Sequence, residues 1–283
     1  MREVLTVALA IVTLVPAGGA QTPVCDALPG RERSRAANLL ATEHLYDCCD
    51  GTIAQCLAAR PRCSLAVRLA NSVCRRVAAG QDDARIRRSL SRRARSMLGG
   101  DAPARIDLTD APLAGASEAP VTVVVYACAR CPYCSRLVPA LYDEITAGAL
   151  RGKVRLAFRP FPIRGHEGST EAGLGFVAAH RLGRFWPFAL HAYRHFDKFS
   201  PEVQAAWAEE VGMDREAFAV LLADPATREA LVASKREGIA NGVEETPTFF
   251  IDGRRWVGDL DLAELVDALE EEEERMRGMP WHE

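Results

Sequence analysis

Apolar positions follow two rhythms along this chain. In the first hundred residues they recur every three to four. Leu65, Leu69, Val73 and Val77 lie one turn apart, and Ile86, Leu90, Ala94 and Met97 repeat the spacing, which predicts amphipathic helices. Ser34, Thr52, Ser64 and Asp82 stand where helix N-caps are expected, and Gly80 is a natural stop. Gly99-Gly100-Asp101-Ala102-Pro103 then breaks the pattern. The rhythm changes at Val121–Tyr126, a β-branched run that reads as a buried strand. A helical stripe follows (Leu137, Leu141, Ile145), and Val154–Arg159 reads as a second core strand, which predicts a right-handed β-α-β unit. Arg105–Leu108 has the alternation of a short first strand, and Pro112–Pro120 reads as a loop. Residues 166–240 are helical in pattern throughout, with cap-then-proline starts at Ser200-Pro201 and Asp224-Pro225 and a stop at Gly238. Only afterwards do Thr248–Ile251 and Arg254–Val257 supply a hairpin across Asp252-Gly253. The helical stretch is therefore expected to interrupt a single sheet. Asp261 and Glu264 form a capping-box pair for a last helix, and Glu270–Glu274 extends it as a solvated face.

The start of the chain changes how its cysteines are read. Arg2, the apolar run Val4–Val15 and the small-residue exit Pro16-Ala17-Gly18-Gly19-Ala20 predict an export signal over residues 1–20, cleaved near Ala20–Gln21. The run is too short for a membrane span, and no later stretch is long and apolar enough, so no span is expected in the mature chain. An exported protein, with the periplasm as its compartment, holds cysteines outside an active site as disulfides. Cys25, Cys48, Cys49, Cys56, Cys63 and Cys74 fall in a helical module (residues 21–100) small enough to need such staples. Spacing leaves the pairing open, except that adjacent Cys48 and Cys49 are poorly placed to bond each other. A metal site is not expected there, because His44 is the only other ligand type nearby and no Cys-x-x-Cys repeats. Residues 25–100 also carry 14 Arg against 7 Asp plus Glu. No aromatic residues interleave with these arginines, so the bias reads as coding composition and not as a nucleic-acid surface.

The chemistry concentrates at Cys131-Pro132-Tyr133-Cys134, where the strand feeds a helix. A cysteine at a helix N-terminus meets unpaired backbone N–H groups and the positive end of the macrodipole, which favours the thiolate that attacks disulfides. Pro132 suits the first helical turn, and Cys134 is placed to resolve a mixed disulfide. Together with Thr246-Pro247-Thr248-Phe249-Phe250-Ile251, this motif resembles the DsbA-like branch of the thioredoxin superfamily over roughly residues 105–277. The resemblance implies an α/β chain: a thioredoxin-like fold with a helical insertion over residues 101–283, preceded by a small all-α Cys-rich module. It implies that Pro247 is cis beside the dithiol, that the backbone of Thr246 pairs with a substrate strand, and that Pro132 and Tyr133 shape the redox poise. It further implies a thiol–disulfide oxidoreductase that needs no cofactor, with cysteine-containing client proteins and a separate redox partner. The Thr before the proline is more like the DsbG isomerase or reductase type.

The chain departs from that family where Val125 occupies the place of a buried carboxylate and where Glu245 precedes Thr246. Cys128 adds a third thiol. An iron–sulfur run would need a fourth cysteine at position 138, which is Val, so Cys128 reads as an inert, partly buried thiol. His166, His180, His191 and His195 read as packing or capping residues. Two other functions fit parts of the pattern: a binding scaffold on the same frame, and a metal carrier using Cys128, Cys131 and Cys134.

Overall fold

The computed structural model describes residues 23–60, 63–99 and 102–278. The segment read as an export signal lies outside them. The described residues begin with five helices: α1 (Pro23–Asp26), α2 (Gly30–Thr42), α3 (Ile53–Ala58), α4 (Ser64–Ala78) and α5 (Asp83–Leu98). Leu39, Ile53, Leu65, Leu69, Val73 and Ile86 close over one apolar cluster of their own. Thr52 and Gln55 make a reciprocal capping box, and the Asp82 carboxylate accepts from Arg85 N–H at 2.8 Å. Two expected caps move. The second helix begins at Gly30, so Ser34 lies inside it and donates back to the Gly30 carbonyl (3.0 Å). Ser64 is the first helical residue of α4, and Cys63 stands at the cap. The six cysteines pair as Cys25–Cys74, Cys48–Cys63 and Cys49–Cys56, tying α1 and the irregular segment 43–52 to α3 and α4. Such cross-links stabilise a small core by about 2–4 kcal/mol each.

A mixed sheet follows, built from β1 (Leu113–Gly115), β2 (Val121–Ala127), β3 (Val154–Pro160), β4 (Thr248–Ile251) and β5 (Arg254–Arg255), in the order β1-β3-β2-β4-β5. Strands β2 and β3 are parallel, joined through α6 (Pro132–Thr146), and every other pairing is antiparallel. Between β3 and β4 the chain inserts α7 (Ser169–Arg181), α8 (Phe185–Arg194), α9 (Gln204–Glu210), α10 (Arg215–Ala223) and α11 (Pro225–Ala240), and α12 (Leu262–Met276) closes the domain. This is the thioredoxin-like architecture with a helical insertion. One face of the sheet packs Val121, Val123 and Val125 against α6, α8 and α12, and the other packs Val124, Tyr126 and Phe250.

Three expectations about strands and stops are corrected. Residues 105–108 form no strand. Ile106 and Leu108 do pack on the second face of the sheet, so their alternation records burial without a ladder partner, and the first strand falls inside the stretch read as a loop. The last hairpin is shorter than expected, with β5 ending at Arg255 because Trp256 turns into the core. Its turn is as expected: Asp252 and Gly253 both have positive φ (45° and 79°), the conformation a two-residue hairpin requires. Gly238 does not stop α11, which runs on to Ala240. A Cβ there would sit 2.7 Å from the Phe161 ring, so the glycine serves close packing.

The largest correction concerns charge. Glu270–Glu274 is no solvated face: Glu271, Glu272 and Glu273 are 2%, 0% and 3% exposed. The arginines of the first module meet this side of α12. Arg93, itself 1% exposed, pairs with Glu271 at 2.8 Å and with Glu264 at 3.4 Å. Tyr46 donates to the same Glu271 carboxylate (2.6 Å). Arg76 reaches Asp259 and Glu264, Arg75 reaches Asp267 (2.7 Å), and Arg68 reaches Glu274. Glu272 is held by Arg254 and Arg275, and Glu270 by Lys153 (2.8 Å). Burial opposes ionisation of Glu264, yet Arg93 and Arg76 together hold its carboxyl below the usual range. These charges are desolvated in pairs, so removing one partner strands the other. Arg93→Ala is therefore expected to lower unfolding stability by about 3–5 kcal/mol. Arg87→Ala, at a solvent-exposed pair, should cost far less. Urea titration of both variants checks this; equal costs would show that the seam carries no special weight.

Candidate active site

The site is assembled by three neighbouring segments. Strand β2 ends at Ala127, and a short turn brings the chain to Cys131, the N-cap of α6 (φ −94°, ψ 123°), with Pro132 at the first helical position. Antiparallel pairing of Tyr126 with Thr248 sets the start of β4 beside that turn. The Thr246–Pro247 peptide, cis as the resemblance implies, then lies against the dithiol. The Cys131 sulfur lies 3.2 Å from the Thr246 carbonyl, to which its protonated form donates.

The two sulfurs are held in opposite states. Both thiols are unbridged; Cys131 is 1% exposed and Cys134 is fully buried. A hydrogen bond from the Cys134 thiol, joined by the N–H groups of Cys134 and Tyr133 and the Thr246 hydroxyl, brings Cys131 down to about 5 against the opposing effect of burial. Burial and the same hydrogen bond push Cys134 well up. The Thr246 hydroxyl is buried beside the two sulfurs, where it favours charge on either of them. One sulfur is thus held toward its thiolate form, and its neighbour toward the protonated thiol that stabilises that charge.

Around the dithiol, Tyr133 is 63% exposed and forms the outer lip, with the Arg136 guanidinium 5.6 Å from its ring. Arg130 lies over the rings of Phe196 and Phe199 (4.4 and 4.8 Å) and donates to the Phe196 carbonyl. Sequence reading missed this clamp, because the two phenylalanines sit in the insertion and no local spacing ties them to the motif. Val125 is fully buried, leaving no carboxylate at that place, and Glu245 is exposed to solvent. Cys128 is fully, not partly, buried, with His166 Nδ1 at 3.4 Å from its sulfur. His180 meets Asp110, and His191 stacks near His195 (4.2 Å between centroids), both away from the sulfurs. Among the described residues, no group of three or more His, Cys, Asp or Glu side chains is gathered to hold a metal ion.

A dithiol at a helix N-terminus, facing a cis-proline loop on a sheet with a helical insertion, is the layout of a thioredoxin-fold protein. Residues 108–271 match the thioredoxin family model, and the chain belongs to that family. The fold is similar to oxidised BdbD from Bacillus subtilis (18% identity, TM-score 0.55, 62% of this chain and 100% of that one). It is also similar to α-DsbA1 from Wolbachia pipientis (19%, 0.53, 61% and 96%) and to a thioredoxin-like oxidoreductase from Silicibacter pomeroyi (26%, 0.50, 63% and 96%). Among curated proteins, the chain is 31% identical over 185 residues to the Na(+)/H(+) antiporter NhaA 3 of Salinispora tropica, which is 63% of this chain and 28% of that protein. A second relative, NhaA 1 of Mycolicibacterium gilvum, is 31% identical over 159 residues, 55% of this chain and 25% of that one. The chain thus spans about a quarter of these relatives, and no helix among its described residues is long and apolar enough to cross a membrane.

The depressed Cys131 value makes a pH prediction. An acid whose folded value lies below its unfolded one adds stability above the unfolded value, and that gain is lost as pH falls through the folded value. Between pH 9 and about 5 the reduced protein should therefore lose stability relative to its Cys131–Cys134 disulfide form by about 1.4 kcal/mol per pH unit. Denaturant titrations of the two forms across that range test it; a pH-independent difference would mean Cys131 is not ionised.

Proposed function

We propose that this chain is an exported thiol–disulfide oxidoreductase acting on cysteine-containing proteins. The observation that carries the reading is the opposed state of two adjacent sulfurs beside a cis-proline loop. The Cys131 thiolate attacks one sulfur of a substrate disulfide, expelling the other as a thiolate and forming a mixed disulfide. Cys134 then loses its proton and attacks Cys131, which frees the second substrate sulfur and leaves Cys131–Cys134 oxidised. Run backwards, the same steps oxidise a client dithiol. A thiolate that stabilises the dithiol form raises the potential of the couple, which favours the oxidising direction. Thr246 and Pro247 offer backbone to the client strand, with Pro132 and Tyr133 at its rim, and a separate partner restores the starting redox state. Export is supported by the N-terminal charge and hydropathy pattern and by the three disulfides of the first module. The domain division follows the same lines: a signal over 1–20, the Cys-rich module over 21–100, and the catalytic domain over 101–283.

The antiporter name of the curated relatives is not carried over, since this chain spans so little of them. Turnover is expected with a reduced, scrambled or dithiol-bearing protein substrate. Cys131→Ser should lower it at least about a thousandfold, and Cys134→Ser should accumulate a mixed disulfide visible on a non-reducing gel. Undiminished activity in Cys131→Ser would reject the assignment.

A further inference from the structure

Cys128 has no part in the exchange written above, yet several contacts converge on it. Its sulfur accepts the N–H of Arg130 at 3.4 Å and lies 3.4 Å from His166 Nδ1. Its carbonyl accepts the N–H of Cys131 at 3.2 Å and the hydroxyl of the buried Tyr193 at 3.4 Å. The side chain is fully buried, and burial keeps its thiol protonated. A protonated thiol has one hydrogen to give and lone pairs to receive. Its lone pairs take the N–H groups of Arg130 and Ile163, and His166 Nδ1 lies within hydrogen-bond distance of the same sulfur.

Those partners are specific. Ala129, Arg130 and Cys131 lie between Cys128 and the first turn of α6, and the amides of the last two end on this one residue. A buried amide left unpaired would cost about 1–3 kcal/mol, so the turn is held where its bonds are met. The position of the Cys131 sulfur over the amides of Tyr133 and Cys134 depends on that turn. His166 anchors the assembly from the start of the insertion, on the rim of a surface cavity of about 440 Å³ shared with Arg164, Arg228 and Lys235.

We propose that Cys128 is a positioning residue, whose sulfur and carbonyl, braced by His166 and Tyr193, fix the Arg130–Cys131 turn and so aim Cys131 at the helix N-terminus. The inference rests on the oxidoreductase reading only in taking Cys131 as the sulfur to be watched.

The test uses the full mature chain with its other disulfides intact and the dithiol reduced. Cys131 is alkylated with iodoacetamide across pH 3–10 and followed by peptide mass spectrometry. Cys128→Ser keeps a donor and an acceptor and should leave the Cys131 midpoint within about 0.3 pH unit of the parent. Cys128→Val has similar shape and no acceptor, and should raise the midpoint by about one unit, an approximately tenfold loss of thiolate at pH 4. Where Val is not accommodated, Cys128→Ala gives the same reading with more space. His166→Ala, at a half-buried loop position, should shift the midpoint in the same direction by less. Parent-like midpoints in the Val or Ala variant alongside a low parent value would overturn this role and leave the enzymatic reading standing. A parent midpoint near 9 would overturn both.

Discussion

The site depends on strand register. Pairing of β2 with β4, Val125 to Phe249 and Tyr126 to Thr248, decides that the residues just before β4 lie beside the residues just after β2. A two-residue slip would carry Thr246 away from Cys131 by about 6–7 Å, beyond hydrogen-bond reach of the sulfur. The slip is resisted on both faces of the sheet. Val123, Val125, Phe249 and Ile251 fill one core, while Val124, Tyr126 and Phe250 fill the other, so each strand is pinned from above and below. The Asp252 carboxylate adds a local lock by accepting the Thr122 N–H at 2.8 Å.

On that frame, the reactivity of the dithiol is a matter of donors and burial. Cys131 collects hydrogen bonds that only the charged sulfur can use fully, whereas at Cys134 burial and the bond to Cys131 outweigh the donors, the Cys128 amide and the Thr246 hydroxyl, that favour losing its proton. The two states support each other, because the proton kept on Cys134 is the donor that stabilises charge on Cys131. With Val125 at the usual place of a carboxylate, the pair is tuned by amides, a hydroxyl and its own mutual hydrogen bond.

The first module is coupled to this domain through charge. Among the described residues, eight arginines or lysines from both modules meet the carboxylates of one helix, and the most buried pair, Arg93 with Glu271, joins α5 to α12. Helix α12 packs directly on β2 and α6, the elements that carry the dithiol.

Much of this was legible beforehand. The Val121–Cys134 stretch declares a strand, a turn and a helix through its β-branched run, its proline and its apolar stripe, and Asp252-Gly253 declares a hairpin. These signals are local, since they arise from backbone sterics and side-chain period. Other features depended on partners far along the chain. Glu270–Glu274 looks solvated because a carboxylate run usually is, and nothing nearby in sequence announces Arg68 or Arg93. Ile106 and Leu108 look like a strand because alternation reports burial but not ladder bonds. The clamp of Phe196 and Phe199 on Arg130, and the contact of His166 with Cys128, join residues separated by 38 to 69 positions. Local chemistry thus determined which sulfurs stand together at a helix N-terminus and on what kind of element they lie. Tertiary structure decided what surrounds them, because burial and charge pairing are set by distances in space that no spacing along the chain encodes.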